Sequence, residues 1–469
     1  MESNMRVGMQ PVTGQESYWG DVKLTPKEIG LINASPTLQS QLRHYGADVS
    51  SGTTKPMALG TGRGTYFEYK GTNKRIVIGK GNQTLREAGA MVGTLSHEMG
   101  HYENQTNDKT FRSRYEINPR DPNAYNVAAL TGVHQEGEAG ANNWQVQQEI
   151  EKNTATPNAP GTRIYLAGTN RLQQTLDEQH AADRQDGKTD AVHRNHLTIA
   201  GMSDFANNSP STAPGKSYYQ SHGDSTGVPA PVPGRPKDVT FQGDDNGDIN
   251  QMTESWESGE SATQTFSEGK IQSSEILNDT GKVTSASVYK HNQDGSYSVD
   301  VRNGDGHETE HAEFKADKSG IVRNYANDGS AQAVSFNTDS LATQIMDYNV
   351  RGQRINANYL DPDTGHYTVQ DKTTPDGGHT VINCDTEGRV RSQSQYDRNG
   401  KITLSADFSE TGDNTFAVHY KEDGSRLVVK FNADGSQTNH IIDRNGNRGR
   451  DYTAPTPSSA RPWNATASA

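Results

Sequence analysis

Residues 84–101 read Thr84-Leu-Arg-Glu-Ala-Gly-Ala-Met-Val-Gly-Thr-Leu-Ser-His-Glu-Met-Gly-His101. Leu85, Ala88, Met91, Val92 and Leu95 recur at i+3 and i+4, the spacing of one buried helix face. Asn82 or Thr84 is placed to cap the start of that helix. His97 and His101, four residues apart, then stand about 40° apart on one face, one turn above the other. Two imidazoles so placed can bind one Zn²⁺. Glu98 is turned about 100° from His97, beside the ion rather than on it. From there a carboxylate can take the proton of a zinc-bound water, whose pKa the metal lowers toward about 7.

The rest of the chain limits what else can contribute. The chain has 469 residues and a single cysteine, Cys384, which excludes a disulfide framework and any cysteine-rich zinc module. Further ligands must come from His, Asp or Glu. Hydrophobic residues make up only 30%, and the 47 glycines predict many turns and a modest core. No run reaches the ~18 apolar residues of a membrane span. Residues 1–20 carry no apolar signal segment, so any export is expected to use a route other than Sec. Residues 1–225 hold 22 basic and 23 acidic side chains, so nearly all of the net charge of -13 lies beyond them. That acidity would repel a nucleic acid, and no basic aromatic stripe offsets it.

The His97-Glu98-Met-Gly-His101 motif resembles that of the zincin metallopeptidases. A metzincin would carry a third histidine six residues past His101, but position 107 is Asn. A second helix, expected to start near Ala128, carries Glu136-Gly-Glu-Ala139, similar to the Glu-x-x-Ala pattern with which gluzincins supply a glutamate ligand. Glu138-Ala-Gly-Ala141 fits almost as well. The two glutamates lie about 200° apart on a helix, so only one can face the metal. The resemblance, over residues 60–155, implies Zn²⁺ held by His97, His101 and Glu136, with Glu138 the alternative to Glu136, and Glu98 as general base. The small residues Gly137, Ala139, Gly140 and Ala141 suit close packing against the first helix. Asn73 to Gly81, with Ile76–Ile78 at its centre, reads as the strand on whose edge a zincin adds its extended substrate. His134, Tyr165, Tyr218, Tyr219 and His222 are the candidates to stabilise the oxyanion. His193 and His196 form a further His pair, better read as a solvated helix end. Glu103 and Asp108 are the acidic side chains that could close the site, without a recognised spacing.

Gly227-Val-Pro-Ala-Pro-Val-Pro-Gly-Arg-Pro236 reads as a stiff linker. Beyond it the chain repeats. Tyr396-Asp-Arg-Asn-Gly400, Phe408-Ser-Glu-Thr-Gly412, Tyr420-Lys-Glu-Asp-Gly424 and Phe431-Asn-Ala-Asp-Gly435 are successive cases, with glycines at 365, 377, 388, 400, 412, 424, 435 and 446. A looser block has glycines at 269, 281, 295, 306, 320 and 329. Asn-Gly and Asp-Gly make tight hairpin turns, and short alternating stretches between them predict an antiparallel meander. Tyr396-Asp-Arg-Asn-Gly-Lys-Ile-Thr resembles the YD-type repeats of Rhs and related bacterial toxin proteins. Asp244-Asp-Asn-Gly-Asp248 has calcium-loop composition with its glycine out of place.

The expected architecture is an α+β zincin-like domain at 1–225, a proline-rich linker at 226–238, an all-β antiparallel repeat region at 239–450 and a disordered tail at 451–469. The expected function is hydrolysis of peptide bonds by a secreted toxin or effector, with a protein or peptide substrate. Cargo of contact-dependent or type VI-like systems would also meet a secretion-machine component and an inhibitor or immunity protein. Cutting cross-link peptides of peptidoglycan is the nearest alternative. A structural or adhesive repeat protein with a non-catalytic zinc site is the alternative from another class.

Overall fold

The computed structural model of the chain describes residues 10–62, 64–70, 73–79, 87–154, 164–168, 170–210 and 213–454. Its contacts divide it into two compact units, one up to Val288 and one from Tyr289 onward. The first combines helices with short sheets, and the second is all antiparallel β.

The first unit opens with α1 (Pro26–Ala34) and α2 (Pro36–Ser51). Both start with a proline, whose missing N–H costs nothing at a helix start. Thr25 and Glu28 close a reciprocal cap on α1, and the Ser35 hydroxyl accepts from Leu38 N–H on α2. A three-stranded sheet follows, with β1 (Ala58–Gly60), β2 (Tyr66–Lys70) and β3 (Asn73–Gly79). The order is β1-β3-β2, with β3 parallel to β1 and antiparallel to β2. This corrects the sequence expectation: β3 is central and carries the buried Ile76 and Ile78, so it offers no edge. The edge beside the helices is β2.

Then come α3 (Ala88–Glu103), α4 (Gln105–Tyr115), α5 (Ala124–Asn153), α6 (Asn170–Gln185), α7 (Asp190–Asn207) and α8 (Tyr218–Asp224). The expected caps Asn82 and Thr84, and Leu85, lie outside the described residues. Within α3, Met91, Val92, Leu95 and Met99 are buried in one cluster with Leu38, Leu42 and Tyr45 of α2, Ile76 and Ile78 of β3, and Val146 and Ile150 of α5. A Cβ on Gly100 would stand 2.7 Å from Ala139 Cα, so α3 and α5 meet backbone to backbone. Gly137 and Gly140 instead face α7, where added Cβ atoms would meet Thr198 O at 2.5 Å and the Phe205 ring at 2.9 Å. Of the small residues on α5, Ala139 serves the approach to α3, and these two glycines serve a different neighbour.

The same unit continues through β4 (Asp238–Gly243), β5 (Ile249–Ser255), β6 (Ser261–Ser267), β7 (Lys270–Leu277) and the first residues of β8 (Val283–His291), an antiparallel meander. Tertiary contacts run from the helices into these strands. Asn207 of α7 bonds both sides of Val239, and Tyr115 of α4 accepts from Ile249 N–H at 2.7 Å. Val232, inside the proline run, is buried against Trp256 and Ala262. The contact division falls at Val288, beyond the proline-rich residues 226–238. A proline run stiffens the chain locally but does not decide what packs on it.

In the second unit, β9 (Tyr297–Asn303) through β22 (Tyr452–Ala454) pair antiparallel with their neighbours in sequence. The expected tail thus begins with a short strand, and its residues 455–469 lie outside the described residues. The turns explain the repeat motif. Gly400 N–H bonds Asp397 O and Asp397 N–H bonds Lys401 O, each at 2.9 Å, which is a type I turn closed by a left-handed glycine. Asp397 Oδ1 accepts from Asn399 N–H and Lys401 N–H, so the acidic residue caps its own turn. In a variant of the motif, Asp434 caps Ser436 instead. Gly320 departs from the expectation: it is the first residue of a strand, and Lys318 holds the positive φ of that turn.

Glu254 of β5 is fully buried. Asn126 of α5 donates to it at 2.6 Å, and the same amide donates to Tyr219 OH at 3.1 Å. Burial pushes the Glu254 carboxyl up to about 7 against the pull of Tyr219, Gln264 and Asn126. A raised carboxyl stabilises the fold while protonated. That stability is complete below the unfolded value of about 4.5 and is lost as pH rises through 7, by roughly 3 kcal/mol at most. The thermal midpoint of the wild type should therefore fall between pH 5 and pH 8, and Glu254→Gln should flatten that slope. Identical slopes for the two proteins would refute the assignment.

Candidate metal centre

The close approach of α3 and α5 decides which side chains meet. Asn142 of α5 donates to Ser96 O at 2.7 Å, and Asn143 donates to Ser96 Oγ at 2.8 Å. These bonds satisfy the buried polar groups of α3 one residue before His97, which sets the rotation of one helix on the other. With that rotation Glu136 points at α3. Its Oε2 lies 3.3 Å from His97 Nε2 and 3.6 Å from His101 Nε2. The His97 and His101 rings stand edge to face at 4.8 Å. Ligand atoms that share one tetrahedral ion at about 2.1 Å stand roughly 3.4 Å apart, so these three residues have the spacing of a coordination shell. They form a group that could hold a metal ion.

The electrostatics agree. Burial opposes ionisation of Glu136, but His101 and His97 overcome it and hold the carboxyl well below the usual range. Burial likewise opposes charge on His101, and Glu136, with Glu98 and Asp108 behind it, raises its pKa. A proton thus occupies, electrostatically, the place of a cation. The Phe205 ring packs on His97 at 5.5 Å, and His97 Nδ1 is buried without a hydrogen-bond partner.

Glu98 is buried beside this group and not part of it. Burial raises its pKa, His97 and His101 draw it back, and the backbone N–H of Phe67 on β2 bonds it. His97, Glu98, His101 and Glu136 line a cleft of about 430 Å³, with Thr65, Tyr66, Phe67 and Tyr69 of the β2 side along one wall. Lys109, Arg112 and Tyr218 complete its rim. The side chains of Tyr66 and Tyr69 are half exposed.

The oxyanion candidates separate clearly. Tyr218 lines the cleft, and burial, reinforced by Glu136 and Glu98, keeps its phenol protonated. Tyr219 faces Asn126 and Glu254. Tyr165 is exposed and donates to Glu87 at 2.8 Å. His222 packs where a Cβ on Gly132 would be, near the Tyr218 ring. His134 belongs to a different cluster with Asp108 and Glu138. Glu103 is held by His44 at 2.9 Å. Of the two acidic side chains that could have closed the site, Glu103 is engaged by His44 and Asp108 stands in the cluster with His134 and Glu138. His193 and His196 are bonded, each at 2.7 Å, to the two oxygens of Asp183, so this pair is a partnered network and not a solvated end. In the 244–248 turn, Lys188 and His196 bind Asp245 and Arg114 binds Asp248, so cationic side chains already hold two of its three acids.

The aromatic wall of β2 and the backbone contact of Phe67 were not anticipated from the sequence. The alternation Tyr66-Phe-Glu-Tyr69 was the available signal.

No protein-family model matches the chain, and no curated protein matches it. Similar solved structures include a mutant of S. aureus TarM, at 15% identity over 23% of this chain and 21% of that one, TM-score 0.18. TcdB2-TccC3 aligns at 9% identity over 46% of this chain and 15% of its own, TM-score 0.13. A Bacteroides caccae protein of unknown function aligns at 10% identity over 39% of this chain and 90% of its own, TM-score 0.12. The chain thus spans about a fifth of TarM and less of TcdB2-TccC3. Scores this low carry neither fold nor activity across.

If the three residues act as one ligand set, His97→Ala, His101→Ala and Glu136→Ala should each weaken the same ion by at least ~10²-fold in competition with a chromogenic chelator. Glu138→Ala should leave that ion in place. Loss of the ion on Glu138→Ala with retention on Glu136→Ala would move the ligand two residues.

Proposed function

We propose that this chain is a zinc-dependent metallopeptidase with a zincin-like catalytic region of gluzincin type. The observation that carries the reading is the convergence of His97, His101 and Glu136 at the floor of an open cleft, with Glu98 beside them and outside the set. Two imidazoles and one carboxylate are the donor set of catalytic zinc sites that keep a position for water. A bound Zn²⁺ would supply Lewis acidity, making water nucleophilic near neutral pH and polarising the scissile carbonyl.

The protein's own groups then have distinct tasks. Glu98 accepts the proton that the attacking water loses and passes it to the leaving amine nitrogen, so the proton balance closes on one carboxyl. Burial beside the ligand set raises its pKa in the metal-free site. The backbone N–H of Phe67 on β2 favours its ionised form. Tyr218 retains its phenolic proton and is placed to donate it to the developing oxyanion. The outer edge of β2 is free, among the described strands, to pair with an extended peptide, and Tyr66 and Tyr69 supply apolar surface for its side chains.

A closed structural site would need a fourth protein ligand. The open cleft and the engagement of Glu103 by His44 favour the catalytic reading. The substrate is then a protein or peptide, with a peptidoglycan cross-link peptide the nearest variant. The repeat region supports a delivered bacterial toxin or effector that would meet a secretion machine and an immunity protein.

Glu98→Gln should retain zinc and thermal stability while turnover on casein or peptidoglycan falls at least ~10²-fold. Tyr218→Phe should lower kcat with little change in KM. Full zinc occupancy with unchanged turnover in Glu98→Gln would remove the mechanism.

A further inference from the structure

On the opposite side of α5 from Glu136, three side chains from two helices converge. Asp108 comes from α4, and His134 and Glu138 come from α5, four residues apart on one face. His134 Nδ1 lies 4.0 Å from Asp108 Oδ1 and 3.8 Å from Glu138 Oε2, and one ligand atom from each of the three lies within 4.8 Å of the others. His134 and Glu138 are each 7% exposed. Asp108 Oδ1, His134 Nδ1 and Glu138 Oε2 are all buried with no hydrogen-bond partner. Buried polar atoms are rarely left so, and three aimed at one point need a common partner.

The surroundings hold these atoms in place. Asn107 donates to Glu138 Oε1 at 2.5 Å, which leaves Oε2 turned inward. The Phe111 ring stacks on the His134 imidazole at 3.6 Å and 14°, which fixes the ring plane. Groups that orient carboxylate and imidazole ligands in this way are the usual outer shell of a metal site. His134 and Glu138 also line a cavity of about 130 Å³, with Asn107, Thr110, Asn195 and Thr198, which has room for water as a further ligand. The two spacings from His134 Nδ1, 4.0 and 3.8 Å, with the two carboxylate oxygens within 4.8 Å of each other, suit ligands about 2.2 Å from one shared ion, and the cavity leaves a side open to water.

We infer that Asp108, His134 and Glu138 form a second binding site for a divalent transition-metal ion, separate from the one made by His97, His101 and Glu136. The imidazole donor favours zinc or a neighbouring first-row ion over magnesium or calcium. Such an ion would neutralise two facing carboxylates and tie α4 to the helix that carries Glu136. Asp108 also lines the catalytic cleft, so the brace would set one wall of it. The inference does not depend on peptidase activity.

The test counts ions in the full-length chain, stripped of metal and titrated with Zn²⁺ by equilibrium dialysis. The wild type should take up two ions, the His97→Ala/His101→Ala variant one, and that variant with Glu138→Gln added none. One ion in the wild type and none in the double variant would overturn the second site, and a shared proton would then account for the two carboxyls. Zinc-edge X-ray absorption on the loaded wild type needs no variant to fold. It should average three imidazoles over two ions if the second site fills, and two imidazoles on one ion would overturn it.

Discussion

The contact on which the site depends is the approach of α3 and α5 at Gly100 and Ala139, where one added methyl on Gly100 would stand 2.7 Å from a backbone carbon. Glycine inside a helix costs about 1 kcal/mol relative to alanine. Gly100 lies within α3, at the point where that helix meets α5. That cost is offset by what the closeness permits. Backbones that touch let short side chains, Asn142 and Asn143, reach Ser96 and saturate the polar groups between the helices. They also bring the imidazoles of one helix within a coordination distance of a carboxylate on the other. A larger residue at 100 would separate the helices and leave Glu136 a buried, uncompensated charge.

Helix geometry then sorts the two glutamates. Glu136 and Glu138 differ by about 200° around α5, and Gly137 between them is pressed against α7. One glutamate faces two imidazoles and is held ionised. The other faces Asp108, and burial with that neighbour raises its pKa. Two carboxyls two residues apart thus meet opposite electrostatic environments. The difference comes from which helix each one faces, because both are buried to a similar degree.

His97, Glu98 and His101 were legible in the sequence because their relation is one helical turn, which local geometry fixes. The choice between Glu136 and Glu138 was open, because it depends on the rotation of α5 against α3, set by Asn142 and Asn143 on one helix meeting Ser96 and Gly100 on the other, a contact between segments far apart in sequence. The meander was legible for the same local reason: Asp397 caps its own turn and Gly400 takes the left-handed conformation. The turns at Lys318 and Ser340 were not, since residues with a side chain take the positive φ there. The order β1-β3-β2 was not legible either. Ile76–Ile78 read as a strand, and an edge assignment needs to know what lies on both sides of it.

The contact division at Val288 was not legible in the sequence for a related reason. Composition marks where the backbone is stiff and polar, and residues 226–238 satisfy that description. It does not report side chains that cross from one segment to another. Val232 enters a cluster with Trp256, Tyr115 bonds Ile249, and Asn126 bonds Glu254, so strands beyond the prolines supply part of the wall against which α4, α5 and α8 pack. Because α4 carries Asp108 and α5 carries both Glu136 and Glu138, the stability of those strands bears on the position of every ligand on these two helices. The candidate ligands sit in the first 225 residues, and the unit that holds them extends to Val288.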